Sequence, residues 1–305
     1  MFFLSQITIF FSFFLLNAQC SYEIWSIYFD TTQPFLDTSN KHHLKQQIFE
    51  NPFNSQNDRS IVQISTFINK TTVSSIISMQ LKICDSINEI IDQTKTRQIS
   101  GTKFFFNGQI YSCVQILASK TAPITGNSND SIITWPEDVS LSLGNSAILL
   151  SILYNQDYEL LQDNSGFDLY LTDERSEFES GIMAIGLSPD ERFLIPANMS
   201  SWQTRGICSP ACFGHLMTMN EIRIIGTFTT AQHLSLQESS LEIISGDMKQ
   251  KIFQHGGDVS IDMSQEVIVE SEDSLLVQCE FRSHNSTLLV SVYFVCLFVC
   301  LFIYL

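Results

Sequence analysis

Short apolar runs alternate with polar, turn-forming stretches over most of this chain. The runs are rich in β-branched, aromatic and aliphatic residues, and turn stretches such as TGNSND (125–130) and QDNSG (162–166) separate them. The predicted strands are 61–68, 104–117, 139–154, 166–172, 181–187, 221–228, 242–245, 266–269 and 274–280. Only 72–93 has room for a helix, and its β-branched residues disfavour one. Many short strands at close spacing predict an all-β fold built from sandwiches or jelly rolls.

Both ends of the chain depart from this pattern. Residues 1–20 hold an apolar run followed by a site for cleavage after Cys20, which predicts a signal peptide. Residues 288–305 are largely apolar and carry no charge, so they predict a transmembrane segment or a GPI signal. We therefore expect an ectodomain, 21–287, tethered at the cell surface or in a vesicle membrane, with its bulk extracellular or lumenal.

Cysteines and glycosylation sequons agree with the secretory route. Of the eight cysteines, Cys20, Cys296 and Cys300 lie in the two end segments. The five disulfide candidates that remain are Cys84, Cys113, Cys208, Cys212 and Cys279. An odd number in an oxidising compartment leaves one thiol free or paired with another chain. The predicted glycosylation sites are Asn69, Asn129, Asn198 and Asn285.

The charge balance narrows the class of partner. Acidic residues outnumber basic ones by 32 to 16. Nucleic acids and anionic lipids are bound by basic surfaces, so neither is expected as a partner. An extracellular protein or small molecule remains, and the sequence does not name it.

A series of motifs between residues 135 and 282 resembles a known family. The motifs are WPEDVSLSLG (135–144), ILLSILYN (148–155), SGFDLYLT (165–172), SGIMAIGL (180–187), FLIPAN (193–198), GICSPAC (206–212) and SEDSLLVQCEF (271–281). Their order and spacing resemble the copper type II, ascorbate-dependent monooxygenases, and dopamine β-monooxygenase and its relatives in particular. The resemblance implies two tandem jelly-roll β-sandwiches that meet at a cleft, 21–174 and 175–287. The second sandwich is expected to be truncated and to lack a closing strand.

The chemistry of that family uses two copper ions, and the resemblance assigns their ligand positions. One copper is held by three imidazoles and the other by two imidazoles and a thioether. Carried over one by one, the imidazole positions fall on Val62, Gln63, Leu153, Thr230 and Gln232. The methionine position should lie beyond Cys279, where the apolar segment begins. Every ligand position is replaced, so the resemblance implies that neither copper nor ascorbate serves as a cofactor and that no residue is catalytic.

The resemblance also bears on the disulfides. The family partners of Cys84 and Cys113 fall on other residue types here, such as Asn69, which implies that these two cysteines bond to each other. Cys279 should bond to the cysteine beside the missing methionine, and the expected truncation would force it to pair again with Cys208 or Cys212.

Three functions follow as hypotheses. The leading one is a membrane-tethered, non-catalytic relative of the copper monooxygenases that binds an extracellular partner. One alternative is an active copper- and ascorbate-dependent monooxygenase that hydroxylates a small amine or peptide. The other is a glycan-binding double jelly roll, which would need a cleft lined with aromatic side chains and carboxylates.

Overall fold

The computed structural model describes most of the chain as β-strands. The described residues are 22–29, 43–52, 59–70, 72–87, 103–106, 109–121, 131–144, 146–154, 163–174, 176–186, 192–195, 198–211, 221–230, 236–256, 267–282, 290–293 and 297–303. The predicted signal peptide lies outside them. The all-β prediction is confirmed, because strands dominate every part that is described.

Twenty strands are described along the chain. The first ten are β1 (Glu23–Tyr28), β2 (His43–Phe49), β3 (Ser60–Phe67), β4 (Ile76–Ile87), β5 (Lys103–Phe106), β6 (Gln109–Thr121), β7 (Ser131–Thr134), β8 (Val139–Ser142), β9 (Ala147–Tyr154) and β10 (Gly166–Thr172). The other ten are β11 (Phe178–Gly186), β12 (Arg192–Ile195), β13 (Trp202–Cys208), β14 (Glu221–Thr230), β15 (Leu236–Ser245), β16 (Met248–Gly256), β17 (Val267–Glu270), β18 (Ser274–Phe281), β19 (Val290–Tyr293) and β20 (Leu297–Ile303). A 3-10 turn, Val73–Ser75, precedes β4.

Two sheets enclose the first hydrophobic core. One contains β1, β10, β3, β7 and β8, and the other has the order β2-β9-β4-β6-β5. Successive side chains of a strand point to opposite faces. On β10, Phe167, Leu169 and Leu171 are fully buried in the core, whereas Asp168 and Tyr170 face outward. This alternation is the pattern from which the sequence predicted 166–172 as a strand.

A second core lies between the sheet β13-β18-β15-β16 and the strands β11, β20, β14 and β17. On β18, the buried side chains alternate strictly with half-buried ones. Those that reach the core are Leu275, Val277, Cys279 and Phe281. Strands β12 and β19 form a separate two-stranded sheet.

The two halves are joined through one continuous sheet. Its order is β1-β10-β3-β8-β11-β20-β14-β17, and β8 and β11 pair in parallel at the junction. The Phe178 N–H donates to the Asp138 carbonyl at 3.0 Å. Beside this bond, the indole N–H of Trp135 donates to Ser180 Oγ at 2.9 Å, and Ser180 Oγ donates to the Ser140 carbonyl at 2.9 Å.

Apolar packing crosses the same junction. Ile182 on β11 and Ile225 on β14 belong to the first core, whereas their neighbours Met183 and Ile224 belong to the second. Each of these strands therefore has one face toward each core. The two halves share buried packing here, on both sides of the domain boundary that the sequence placed near residue 175.

The apolar C-terminal segment differs from its expected state. Strand β19 pairs with β12, and β20 lies between β11 and β14 with both of its neighbours hydrogen-bonded. The sequence predicted a transmembrane segment or a GPI signal here, and a second half without a closing strand; in the structure, β20 instead fills an interior position of the sheet. A short apolar run looks alike in a buried strand and in a helix, so its periodicity alone did not separate the two. Among the described residues, no helix is long and apolar enough to cross a bilayer.

We expect a chain that ends at residue 287 to lose the cooperative unfolding of its second half. Without β20, strands β11 and β14 lose the partner that lies between them, and two new edges are exposed. Thermal denaturation followed by circular dichroism would show this against the full chain. A truncated chain that is secreted and unfolds cooperatively at the full-chain temperature would contradict the placement of β20.

A second prediction concerns the junction. Ser180→Ala removes the acceptor of the buried Trp135 N–H, which should lower the free energy of unfolding by about 1–3 kcal/mol. The matched control is Ser146→Ala, because the Ser146 hydroxyl forms an exposed bond to Asp85 at 3.2 Å. Urea denaturation measures both variants. An equal, small effect in the two would show that the Trp135 bond adds nothing at the junction.

Candidate functional site

The first two predicted ligand positions lie at a β-bulge. In the pairing of β3 with β10, Gln63 is opposite Tyr170 and Ile61 is opposite Leu171, so Val62 is the extra residue. The Val62 carbonyl accepts the Trp135 backbone N–H at 3.0 Å. Bulges re-aim side chains and are frequent beside active sites. The strand is thus irregular at the two positions that the resemblance assigned to ligands, and Val62 and Gln63 are both half-buried.

The third position, Leu153, lies on β9 in the other sheet of the first half. Leu153 is half-buried and is the cross-strand partner of Leu44 and Ser78. Its neighbour Tyr154 points to the opposite face, where its side chain is buried in the core. The Tyr154 hydroxyl donates to Asp163 Oδ2 at 2.6 Å.

The face of β9 that carries Leu153 also carries a buried polar row. Four cross-strand neighbours form it, and all four are buried: Gln46, Ser151, Gln80 and Ser119. Gln46 Nε2 donates to Ser151 Oγ at 2.9 Å. Amide and hydroxyl groups that are paired in this way stabilise the sheet, and they add no imidazole beside Leu153.

Asp163 organises a network next to this strand. Besides the Tyr154 hydroxyl, its carboxylate accepts the Thr72 hydroxyl at 2.7 Å. Ser165 donates to it through its hydroxyl at 2.7 Å and through its backbone N–H at 3.1 Å. Ser165 Oγ in turn accepts the Asn69 N–H at 2.9 Å. These bonds tie the end of β9 and the start of β10 to the turn that follows β3.

Lys45 is a buried cation that the sequence analysis did not identify. It lies on β2 opposite Ile152, is 5% exposed, and places Nζ 4.7 Å from the centre of the Phe29 ring. Burial lowers the pKa of Lys45. The negative charge of Asp163 acts in the opposite direction, but its effect on the pKa is the smaller of the two. In the run LKQQIF the lysine has the spacing of an ordinary strand residue, so no motif distinguishes it.

The ligand positions of the second half are only partly described. Thr230 ends β14, where it pairs with Leu297, and Gln232 lies outside the described residues. In the part of the chain that the structure describes, no three His, Cys, Asp or Glu side chains are grouped as a metal site. The alkyl groups of Val62 and Leu153 and the amide of Gln63 are not the ligands that copper prefers. The described residues do not fit copper.

The cysteines fall into three situations. Cys84 and Cys113 form a disulfide between β4 and β6, as the resemblance implied. Cys279 is also disulfide-bonded, with a partner outside the described side chains. Cys208 is a buried thiol in the second core, and Cys212 lies outside the described residues.

The described sequons differ in accessibility. Asn198 is exposed and has a φ of 59°, a left-handed conformation that asparagine tolerates better than most residues. Asn69 is half-buried and belongs to the network around Asp163. Asn129 and Asn285 lie outside the described residues. Glycosylation stays a prediction at all four.

Comparison with known proteins gives a family match that covers strands β11 to β19. Residues 178–293, from the first residue of β11 to the last of β19, match the model of the copper type II ascorbate-dependent monooxygenase C-terminal domain. A Drosophila melanogaster protein, MOXD1 homolog 1, is 35% identical over 91 residues, which is 29% of this chain and 13% of the relative. Tyramine beta-hydroxylase of Caenorhabditis briggsae is 29% identical over 90 residues, 28% of this chain and 15% of the relative.

A human relative extends the match toward the first half. DBH-like monooxygenase protein 1 is 24% identical over 166 residues, which is 50% of this chain and 27% of the relative. The matched segments thus span 13 to 27% of the length of these relatives. These matches support a DBH-like member of the copper type II ascorbate-dependent monooxygenases, which confirms the resemblance seen in the motifs.

The lowered pKa of Lys45 makes a prediction about stability and pH. Between that lowered pKa and the ordinary 10.5, the unfolded chain binds more protons at this residue than the folded chain does. The contribution of Lys45 to stability therefore rises with pH across this window. We expect the free energy of unfolding of the wild type to increase relative to Lys45→Met between neutral pH and about pH 10.

Urea denaturation over this pH range measures the difference. Lys251→Met is the control, because Lys251 is exposed on β16 and should show no such change relative to the wild type. If the free energies of unfolding of the wild type and Lys45→Met change with pH in the same way, Lys45 has the same pKa in the folded and the unfolded chain, and the prediction is wrong.

Proposed function

We propose that this protein is a non-catalytic, extracellular binding module of the DBH-like monooxygenase family. One observation carries the proposal. A hydrogen-bonded frame, in which Tyr154 donates to Asp163, adjoins the third position that the resemblance assigns to a copper ligand, whereas that position itself carries Leu153.

The frame is a local feature of the end of β9, not a general property of a β-sandwich. Tyr154 follows the ligand position directly, and its bond to Asp163 fixes the end of β9 against the turn before β10. The bulge at Val62 on β3 likewise has no imidazole at Val62 or Gln63. A frame of this kind holds a side chain in place, but valine, glutamine and leucine supply none of the imidazoles that the chemistry requires. Hydrogen-bonded strand ends beside positions without imidazole support a binding role over an oxygenase.

Several features support an extracellular location. The disulfide between Cys84 and Cys113 requires an oxidising compartment to persist. Asn198, in a sequon, is exposed to solvent on the surface of the protein. The excess of acidic residues gives no reason to expect a nucleic-acid partner.

Copper content of the purified full-length chain tests the proposal. After loading with copper and dialysis, we expect far less than one ion per chain, because the ligand positions lack imidazole. Gln63 and Leu153 lie on the outer faces of two different sheets, so histidines at the three assigned positions would not meet at one copper ion. The wild type loaded and dialysed in the presence of a chelator is the control for weak surface binding.

An oxygenase assay distinguishes the proposed non-catalytic module from an active monooxygenase. Ascorbate-dependent hydroxylation of a small amine such as tyramine by the copper-loaded wild type would overturn the non-catalytic reading. Near-stoichiometric copper in the wild type would show that other residues serve as ligands.

A further inference from the structure

The outer face of the sheet formed by β1, β10 and β3 carries an ordered set of side chains. Register places nine residues on this face in three cross-strand rows: Ile24, Tyr170 and Gln63; Ser26, Asp168 and Ser65; and Tyr28, Gly166 and Phe67. From strand and residue spacings, the nine positions cover about 10 by 13 Å. We call this set the β1–β10–β3 face. It contains one of the lost ligand positions, Gln63, at its margin.

A carboxylate occupies the centre of the β1–β10–β3 face. Asp168 is half-buried, and its Oδ1 accepts the hydroxyl of Ser26 at 2.6 Å from the neighbouring strand. The Ser26 bond orients the carboxylate, which has capacity for several further hydrogen bonds. A ligand that lay on this face would therefore meet a fixed acceptor for hydroxyl donors.

Aromatic rings surround this centre. Tyr28 is 45% exposed and meets Phe67 edge to face, with 5.9 Å between ring centres. Gly166 lies between these two residues on β10, and a Cβ there would clash with the Ile27 carbonyl. Tyr170 is the third aromatic residue, two positions from Asp168 on the same strand and face. Tyr28 and Phe67 occupy two diagonal positions around Asp168, and Tyr170 lies on the central strand, so all three rings are within reach of a ligand bound at the centre.

The charges favour an uncharged ligand over an anionic one. The basic residue at this end of the sheet, Arg59, pairs with Glu23 at 3.2 Å and with Asp173 at 3.6 Å. Asp168 would repel a phosphate, sulfate or uronate. A charged residue at the centre also differs from the apolar core that a protein–protein interface usually has.

We propose that the β1–β10–β3 face binds a neutral oligosaccharide. Sugar rings present C–H groups that lie against aromatic side chains, and hydroxyls that donate to a carboxylate and exchange hydrogen bonds with serine and glutamine. Sheet faces and jelly rolls with such side chains are used for oligosaccharide binding in unrelated proteins. This inference rests on the proposed function, because it gives the binding module a surface and a class of ligand.

Saturation-transfer NMR on the full-length chain tests the inference with chitotetraose, cellotetraose and maltotetraose as probes. We expect transfer to at least one of them. Tyr28→Ala and Asp168→Ala should each weaken its binding by about tenfold or more, because each removes a direct contact. Gln203→Ala is the matched control, since Gln203 is exposed on β13 in the other half and should leave binding unchanged.

Tyr28 is partly exposed, so its replacement tests the face even if Asp168→Ala impairs folding. No transfer to any of the three probes from the folded wild type would overturn the inference. Binding that both face variants leave unchanged would place the ligand elsewhere, and binding of tetramethylammonium without any saccharide would assign the face to an amine. None of these outcomes alters the copper content, so failure here is distinguishable from failure of the proposed function.

Discussion

A buried carboxylate is costly unless donors surround it, and this requirement shapes the first half of the protein. Asp163 is 3% exposed and is satisfied by Tyr154, Thr72 and Ser165. These donors come from the end of β9, from the turn after β3 and from the start of β10. Both sheets must therefore be in place before the carboxylate is satisfied. The buried ammonium of Lys45 faces the same charge, and the bulge with Val62 lies on the strand that precedes the Thr72 turn. These polar contacts hold the candidate site of the first half in shape.

The two halves depend on each other through a sheet rather than through a linker. Strand β8 of the first half pairs with β11 of the second, and the bond from Trp135 to Ser180 lies beside that pairing. Ile182 and Ile225 carry the packing of the first core into the second half. A shared interface of this kind resists relative motion of the two halves. It suits a module whose task is to present a fixed surface, such as the β1–β10–β3 face.

Local pattern predicted much of the fold but not how its strands were joined. Residues 166–172 were predicted with their observed bounds, because Phe167, Leu169 and Leu171 alternate with outward polar and aromatic residues. The run 139–154 was predicted as one strand and is two, since a turn at the positive-φ Gly144 separates β8 from β9. Strands β1, β2, β4, β7, β12, β13 and β16 were missed, and β19 and β20 lie in the segment that was predicted to be a transmembrane segment or a GPI signal. The disulfide between Cys84 and Cys113 was expected from the family resemblance, whereas Lys45 was not expected at all.

The sequence by itself determined the all-β class, the family and the absence of imidazole at Val62, Gln63 and Leu153. Those properties depend only on residue type and on the pattern of residues that are close together in the sequence. Only the tertiary structure decided the state of the apolar C-terminal segment, where β20 lies between β11 and β14. It also decided which outward residues meet on the β1–β10–β3 face. The physical reason is the same in both cases: strand register joins residues that are far apart in the chain, and neither hydrophobicity nor local spacing encodes the partner of a strand.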